Sequence, residues 1–204
     1  MQDYHHDRAR ALLANATQIV TPEEVQAAVK RVAVQLNTRF NAEKSFPLVL
    51  GVMGGAVVFT GNLLPQLDFP LEFDYIHVSR YGDADRGGQI VWKVIPRQDV
   101  TGRIIVVVDD ILDEGETLAH VKQRLLDMGA AEVIIAVFAD KDLKRAKPIK
   151  ADLIGLTLPN EFVVGFGMDV YNYWRNLPGL WSISQADLSA AEPEPEFPVP
   201  DAKK

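Results

Sequence analysis

The chain of 204 residues contains no cysteine. This absence excludes a disulfide framework, a thiol nucleophile and any metal or iron–sulfur site that needs thiolate ligands. The sequence also has no apolar run close to the roughly 20 residues that a membrane-spanning helix needs, and its start carries no signal-peptide pattern. We therefore expect a cytoplasmic protein that does not associate with membranes.

Basic residues are fewer than acidic ones, 21 against 28, which gives a formal net charge of −7. This balance argues against broad binding to nucleic acid, so any phosphate that the protein recognises is expected to belong to a small metabolite. The sequence also contains no Gly-Lys dipeptide, and therefore no Walker A loop. A nucleotide hydrolase of the P-loop type is excluded, although one strand ending in two acids resembles a Walker B segment.

The remaining composition is that of a globular protein, with 48% hydrophobic and 24% charged residues. The length suits one domain, and short apolar runs that alternate with helical patterns predict an α/β fold with a central parallel sheet and flanking helices. Residues from about 185 onward are rich in proline and glutamate, which predicts a disordered tail at 185–204.

The most informative stretch is 103–118. Its residues Ile104–Val108 are all β-branched and apolar, which predicts a strand buried on both faces of a parallel sheet. Asp109 and Asp110 follow at the carboxyl end of this strand, where open α/β sheets bind their ligands. Two adjacent carboxylates could bind a sugar diol or hold Mg²⁺ through oxygen ligands.

A helix is predicted directly after these acids. Asp113 precedes a turn at Gly115, the helix begins near Thr117, and Gly129 is a typical residue to end it. Because the first N–H groups of a helix lack partners, its N-terminus attracts anions. The stretch therefore predicts a phosphate site beside a carboxylate pair, as in a phosphorylated sugar.

Three further segments can contribute to such a site. A predicted strand at 47–53 runs into Gly54-Gly55, which is either a tight turn or a close approach to a ligand. The polar, glycine-rich loop 79–89 lies between two strand-like runs and is either a plain hairpin or a lid. Lys141 follows the strand-like run 132–138 and would lie at the same sheet edge as Asp109 if the strands are parallel.

The segment 106–117 closely resembles the phosphoribosyl-diphosphate motif of the type I phosphoribosyltransferases. The other landmarks narrow the resemblance to the hypoxanthine-guanine branch, and the resemblance covers roughly 21–183. These landmarks are Met53-Gly54-Gly55, Arg80-Tyr81-Gly82, Lys141, Phe162–Gly165, Asp169 and Arg175. The resemblance implies transfer of a phosphoribosyl group to a 6-oxopurine. It also implies a single domain at 1–184, in which about 1–20 and 155–184 form a small hood. The expected oligomer is a homodimer or homotetramer.

For the sugar-phosphate half, the resemblance implies that Asp109 and Asp110 receive the ribose hydroxyls, directly or through Mg²⁺. The 5′-phosphate would be bound by the loop residues Asp113, Glu114, Gly115, Glu116 and Thr117. Met53 and Gly54 would bind pyrophosphate through their backbone, with a cis peptide expected between Val52 and Met53. Arg80 and Tyr81 would begin a mobile lid.

For the base half, the resemblance implies that Asp113 is the general base at N7 and that Lys141 donates to O6. Phe162 would stack on the purine, and the Val163 carbonyl would accept from N1 or the exocyclic amine. Asp169, a predicted metal ligand like Asp109 and Asp110, would complete the second metal and pyrophosphate side together with Arg175.

Four positions depart from the usual family pattern. Glu114 and Glu116 put negative charge beside the expected phosphate, which requires both side chains to point to solvent. Met53 replaces a lysine, and Arg80 replaces a serine. The alternative to an enzyme is a regulator of the same fold that senses phosphoribosyl diphosphate without turning it over.

Overall fold

The computed structural model describes residues 2–42, 45–81 and 89–190. The strands are β1 (Thr17–Val20), β2 (Leu48–Met53), β3 (Glu72–Tyr81), β4 (Gln89–Val94), β5 (Ile104–Leu112), β6 (Glu132–Lys141), β7 (Leu153–Leu158), β8 (Phe162–Val164) and β9 (Leu180–Ile183). The helices are α1 (Gln2–Ala14), α2 (Pro22–Phe40), α3 (Ala56–Leu63), α4 (Glu116–Asp127) and α5 (Gln185–Ala190). In this part of the chain, none of the helices has both the length and the apolar character that crossing a membrane requires.

A six-stranded sheet in the order β4-β3-β2-β5-β6-β7 forms the centre of the molecule. The neighbouring pairs from β3 to β7 are all parallel, which confirms the α/β prediction. Only the edge strand β4 runs antiparallel, against β3. It can do so because only the seven residues 82–88 separate β3 from β4 in the sequence, whereas a parallel neighbour would need a long crossover.

Strand β5 lies in the middle of this sheet and is buried on both faces. Val106 and Val108 pack with α2 and α3, whereas Ile105 and Val107 pack with α4 on the opposite face. The strand continues to Leu112, beyond the predicted end at Val108, because its pairing with β6 also continues. The two acids therefore lie within the strand near its carboxyl end.

Helix α2 begins at a capping box, and α4 begins within one residue of the predicted start at Thr117. The Thr21 hydroxyl accepts from the Glu24 N–H at 3.2 Å and the Glu24 carboxylate accepts from the Thr21 N–H at 2.8 Å, which is a complete capping box. Helix α4 starts after Gly115, whose φ of +87° lies in the left-handed region. It buries the apolar side chains Leu118, Val121 and Leu125 against the sheet.

A second, three-stranded antiparallel sheet in the order β1-β9-β8 combines both ends of the chain. We name it the hood sheet, and a small core with Leu12, Val164 and Leu188 joins it to α1 and α5. Its role as the implied hood stays a prediction. The prediction of disorder from residue 185 is wrong for residues 185–190. They form α5, whose first turn is capped by Ser184 accepting from the Asp187 N–H at 3.1 Å. Residues 191–204 of the predicted tail lie outside the described residues.

Candidate active site

A cavity of about 380 Å³ opens at the carboxyl end of β5. It lies where the strand passes into the loop 113–115 and then into α4, which is the place that the sequence indicates for ligand binding. Its lining residues are Val52, Met53, Gly55, Val78, Asp109, Asp110, Ile111, Leu112, Asp113, Glu114, Gly115, Glu116, Thr117, Leu118 and Arg175. The cavity thus joins the β2 loop, the acid pair, the N-terminus of α4 and one arginine from the hood side.

The carboxylates of Asp109 and Asp110 form a tightly coupled pair beside this cavity. Asp109 is buried, and its carboxylate accepts from the Asp110 N–H at 2.9 Å, while Asp110 accepts from the Ile111 N–H at 2.9 Å. Burial raises the pKa of Asp109, and the negative charge of Asp110 raises it further. Burial also raises the pKa of Asp110, although hydrogen bonds and the charge of Arg175 oppose the change. A bound cation or hydrogen-bond donor would therefore stabilise the charged form of this acid pair.

The loop after β2 lies against the acid pair. A side chain at Gly55 would have no room, because its Cβ would lie 1.9 Å from Asp110 Oδ2. The peptide bond between Met53 and Gly54 is cis. The expectation of a cis bond between Val52 and Met53 is therefore wrong by one residue, since the turn begins after Met53, the last residue of β2.

Lys141 and Asp113 form an ion pair that joins the ends of two neighbouring strands. The ammonium of Lys141 lies 2.7 Å from Asp113 Oδ2. The lysine is almost completely buried at the end of β6, whereas the Asp113 side chain is about half exposed, 47%. The parallel pairing of β5 with β6 is what brings these residues to the same edge of the sheet.

The two unusual glutamates differ in their surroundings. Both are exposed and line the cavity, and the carboxylate of Glu114 forms an ion pair with Arg145 in the segment that follows β6. Glu116 is the first residue of α4, where a carboxylate is favoured by the helix dipole. The charge of Glu114 is thus balanced within the protein.

Arg175 connects the cavity to the segment 165–172. Its guanidinium lies 2.5 Å from Asp169 Oδ1 and donates to the Gly167 carbonyl at 2.6 Å. Asp169 also accepts from the Asn172 N–H at 2.8 Å. In the part of the chain that the structure describes, no group of three or more His, Asp or Glu side chains is placed to share one metal ion. Asp109, Asp110 and Asp169 are therefore not gathered at one point, and the assignment of Asp169 to a second metal stays a prediction.

Phe162, predicted to stack on the base, and Val163, predicted to accept a hydrogen bond from it, lie on the hood sheet and outside this cavity. Phe162 is 40% exposed and lines a separate cavity with hood residues, whereas Val163 is buried and pairs with Ser182 in β9. The chain reaches Phe162 only four residues after Leu158, which pairs with Lys141. This short connection places β8 close to the Lys141 edge of the main sheet.

A family model described as the phosphoribosyl transferase domain matches residues 15–170. The chain belongs to this family. Among curated relatives, it is 36% identical over 171 residues to the hypoxanthine-guanine phosphoribosyltransferase of Bacillus subtilis, covering 82% of this chain and 93% of that protein. It is 33% identical over 165 residues to the hypoxanthine-guanine-xanthine phosphoribosyltransferase of Tritrichomonas foetus, covering 80% and 89%.

Solved structures give the same result for this phosphoribosyltransferase. A hypoxanthine phosphoribosyltransferase from Staphylococcus aureus superimposes with a TM-score of 0.77 at 25% identity, covering 82% of this chain and 91% of that one. A hypoxanthine-guanine phosphoribosyltransferase from Bacillus anthracis gives a TM-score of 0.73 at 27% identity, covering 82% and 96%. Both coverages show that the relationship extends over nearly the whole fold.

The predicted lid of this phosphoribosyltransferase is only partly described. Arg80 and Tyr81 are the last residues of β3, but their side chains and the loop 82–88 lie outside the described residues. The two strands that carry the loop form an antiparallel hairpin at the edge of the main sheet. The position of a lid beside the cavity therefore stays a prediction.

Sequence analysis names Gly55 in the glycine pair after the strand 47–53, and the structure shows that it lies directly against Asp110. Two other residues that shape this site were missed. Arg145 and Lys147 contact the loop 112–114 from the segment after β6. Arg145 and Lys147 belong to a lysine-rich stretch that is typical of a solvated surface. Nothing in its residue spacing indicates contact with the loop 112–114.

Proposed function

We propose that the protein transfers the 5-phosphoribosyl group of phosphoribosyl diphosphate to a 6-oxopurine, hypoxanthine or guanine, in purine salvage. The observation that carries this proposal is the Lys141–Asp113 ion pair, in which Asp113 lines a cavity that also contains an acid pair and a helix N-terminus. A phosphate, a sugar diol and a purine each find a chemically matched group there. The names of the curated relatives support an enzyme rather than a regulator.

The sugar-phosphate half of the proposed site is the cavity at the end of β5. The N–H groups of the loop 113–117 and the Thr117 hydroxyl would bind the 5′-phosphate, aided by the positive end of the α4 dipole. Asp109 and Asp110 would accept hydrogen bonds from the ribose hydroxyls. The backbone of Met53 and Gly54 would contact the diphosphate. Arg80 and Tyr81 would close over it with the lid, which excludes water.

The base half of the proposed site lies between the Lys141 edge and the hood. Lys141 would leave Asp113 and donate to the purine O6, while Phe162 stacks on the ring and the Val163 carbonyl accepts from N1 or the amine of guanine. A 6-aminopurine would present a donor to the ammonium, which leaves buried groups unpaired. Adenine is therefore expected to be a poor substrate.

The donor set fits a magnesium cofactor. Asp109 and Asp110 offer the oxygen ligands that Mg²⁺ prefers, and Mg²⁺ usually takes one or two carboxylates together with water and substrate oxygens. Asp169 would join on the diphosphate side, next to Arg175. When bound, Mg²⁺ would neutralise charge on the diphosphate.

In the proposed reaction, the purine N9 forms a bond to C1′ of the ribose while the bond from C1′ to the diphosphate oxygen breaks. Asp113 accepts the proton from N7 of the base, as a general base within reach of the ring. Lys141 stabilises the developing negative charge on O6, and Arg175 stabilises the departing diphosphate. The products are a nucleoside monophosphate and diphosphate.

A direct assay tests this proposal. The protein is incubated with Mg²⁺, phosphoribosyl diphosphate and one of hypoxanthine, guanine, xanthine or adenine, and the nucleotide and diphosphate are measured. We expect products with hypoxanthine and guanine and little with adenine. Binding of phosphoribosyl diphosphate without any product would support the regulator instead, and the xanthine reaction would define the breadth of specificity.

We further propose that the protein is cytoplasmic, on its composition, and a homodimer or homotetramer. Phe73, Tyr75 and Val91 lie on one face of the β3–β4 hairpin and are large apolar side chains that are each more than a third exposed. Such a face is typical of a subunit interface. Val91→Lys should lower the mass measured by analytical ultracentrifugation, whereas Val34→Lys, on the solvent-facing side of α2, should not.

A further inference from the structure

Lys147 is a nearly buried cation to which the proposed reaction gives no role. Its side chain is only 10% exposed. Its ammonium donates to the Leu112 carbonyl at 2.6 Å and lies 2.6 Å from Asp140 Oδ1. Leu112 and Asp140 are the facing residues at the end of the β5–β6 pairing. Lys147 therefore joins two strands at the place where they separate and the loop toward α4 begins.

Two neighbours of Lys147 support the same loop. Pro148 and Ile149 lie against Gly115, where an added Cβ would be 3.4 Å from Pro148 Cδ and 3.3 Å from Ile149 Cγ2. Gly115 is buried and adopts a φ of +87°, so it cannot move without changing the start of α4. Arg145 forms the ion pair with Glu114. The segment 145–149, which we name the brace, thus contacts the loop at 112, 114 and 115.

We propose that the brace sets the position of the loop 112–117, and that Lys147 is a positioning residue for the transferase reaction. Lys147 holds the carbonyl one residue before Asp113, and it is itself oriented by Asp140. The loop carries both the proposed general base and the N–H groups for the 5′-phosphate, so a displacement of the loop moves both away from the substrate. The kinetic part of this inference rests on the proposed function.

The first test needs no substrate. Hydrogen–deuterium exchange of the amides 113–119 is compared between wild type, Lys147→Met and Lys122→Met. The methionine at 147 keeps an unbranched apolar stem and removes the ammonium. Lys122 is a matched control, since it is also ion-paired and partly buried but lies on α4 away from the loop.

Faster exchange is expected in Lys147→Met alone. The amide of Ala119 is a sensitive reporter because it donates to the Gly115 carbonyl at 2.9 Å. Unchanged exchange at 113–119 in a folded Lys147→Met protein would overturn the proposal, whatever the activity. If that variant does not fold, Asp140→Asn tests the same geometry, because it leaves the ammonium in place but removes its orienting charge.

The second test separates positioning from stability. Lys147→Met should raise the KM for phosphoribosyl diphosphate and lower kcat, together costing about tenfold or more in kcat/KM, because small displacements at a reacting centre are costly. The KM for hypoxanthine should stay close to that of wild type. A lower Tm with wild-type kinetics would show that Lys147 only stabilises the fold. An inactive wild type would refute the proposed function while leaving the exchange result to decide on the brace.

Discussion

The ammonium of Lys141 lies 2.7 Å from Asp113 Oδ2, so that the proposed O6 donor and the proposed general base neutralise each other before substrate binds. The pair joins the last residue of β6 to the loop after β5. A purine with an oxygen at C6 and a proton at N7 could replace this contact by one hydrogen bond to each partner. The ion pair therefore favours bases that carry an oxygen at C6 and a proton at N7.

Asp113→Asn should lower kcat by about a hundredfold or more, because general acid–base catalysis typically contributes that much. Binding of phosphoribosyl diphosphate should change little, since the phosphate contacts in the loop are made by N–H groups. Steady-state kinetics and isothermal titration calorimetry measure the two effects. A large loss of phosphoribosyl-diphosphate affinity would mean that Asp113 has a different role.

Lys141→Met should weaken binding of 6-oxopurines about thirtyfold, the equivalent of about 2 kcal/mol for a lost hydrogen bond to a charged donor. The preference over adenine should fall with it, which competition between hypoxanthine and adenine would measure. Lys144→Met is the control, since Lys144 lies three residues further on, is largely exposed and pairs with Asp142. Equal losses of purine affinity in both variants would show that Lys141 does not contact the base.

Asp109→Asn should stabilise the ligand-free protein at neutral pH while it reduces activity. Burial raises the pKa of Asp109 in the folded state, so wild type loses stability as pH rises from the unfolded value of about 4 through the folded pKa. The higher stability of Asp109→Asn should vanish below about pH 4, where Asp109 is protonated in both the folded and the unfolded state. Thermal unfolding of the wild type and the variant over a pH series would measure this difference in stability.

Arg145→Ala should raise the KM for phosphoribosyl diphosphate, because it leaves the charge of Glu114 unbalanced beside the proposed 5′-phosphate. The double variant with Glu114→Thr should recover much of the loss, since it removes the repelling charge. The ion pair itself is half exposed and contributes little to stability, so Tm should change only slightly in either variant. A double variant as poor as Arg145→Ala would show that Glu114 does not face the phosphate.

The main sheet and the acid pair could be predicted because their signals are local. Five β-branched residues from Ile104 to Val108 define the central strand, and Thr21 with Glu24 defines the start of α2. The end of β5 could not be read in the same way. Its last residues stay paired because β6 is equally long, and a strand's partner is not visible in its own sequence.

The direction of Glu114 and the contacts of Lys147 could not be predicted for a related reason. Both depend on how the segment after β6 folds back over the loop, which is a long-range contact between residues about thirty positions apart. The missed helix α5 did have a local signal. Ser184 and Asp187 have the spacing of a capping box, and the proline-rich residues that follow obscured it.

The antiparallel pairing of β1 with β9 has a consequence for the order of folding. Thr17 pairs with Ser182, so β1 is synthesised long before its partner exists. The main sheet, from β2 to β7, needs no residue beyond Leu158 and can form while the chain is still being made. On the ribosome, the sugar-phosphate half should therefore assemble first, and the base half only after β9 has emerged.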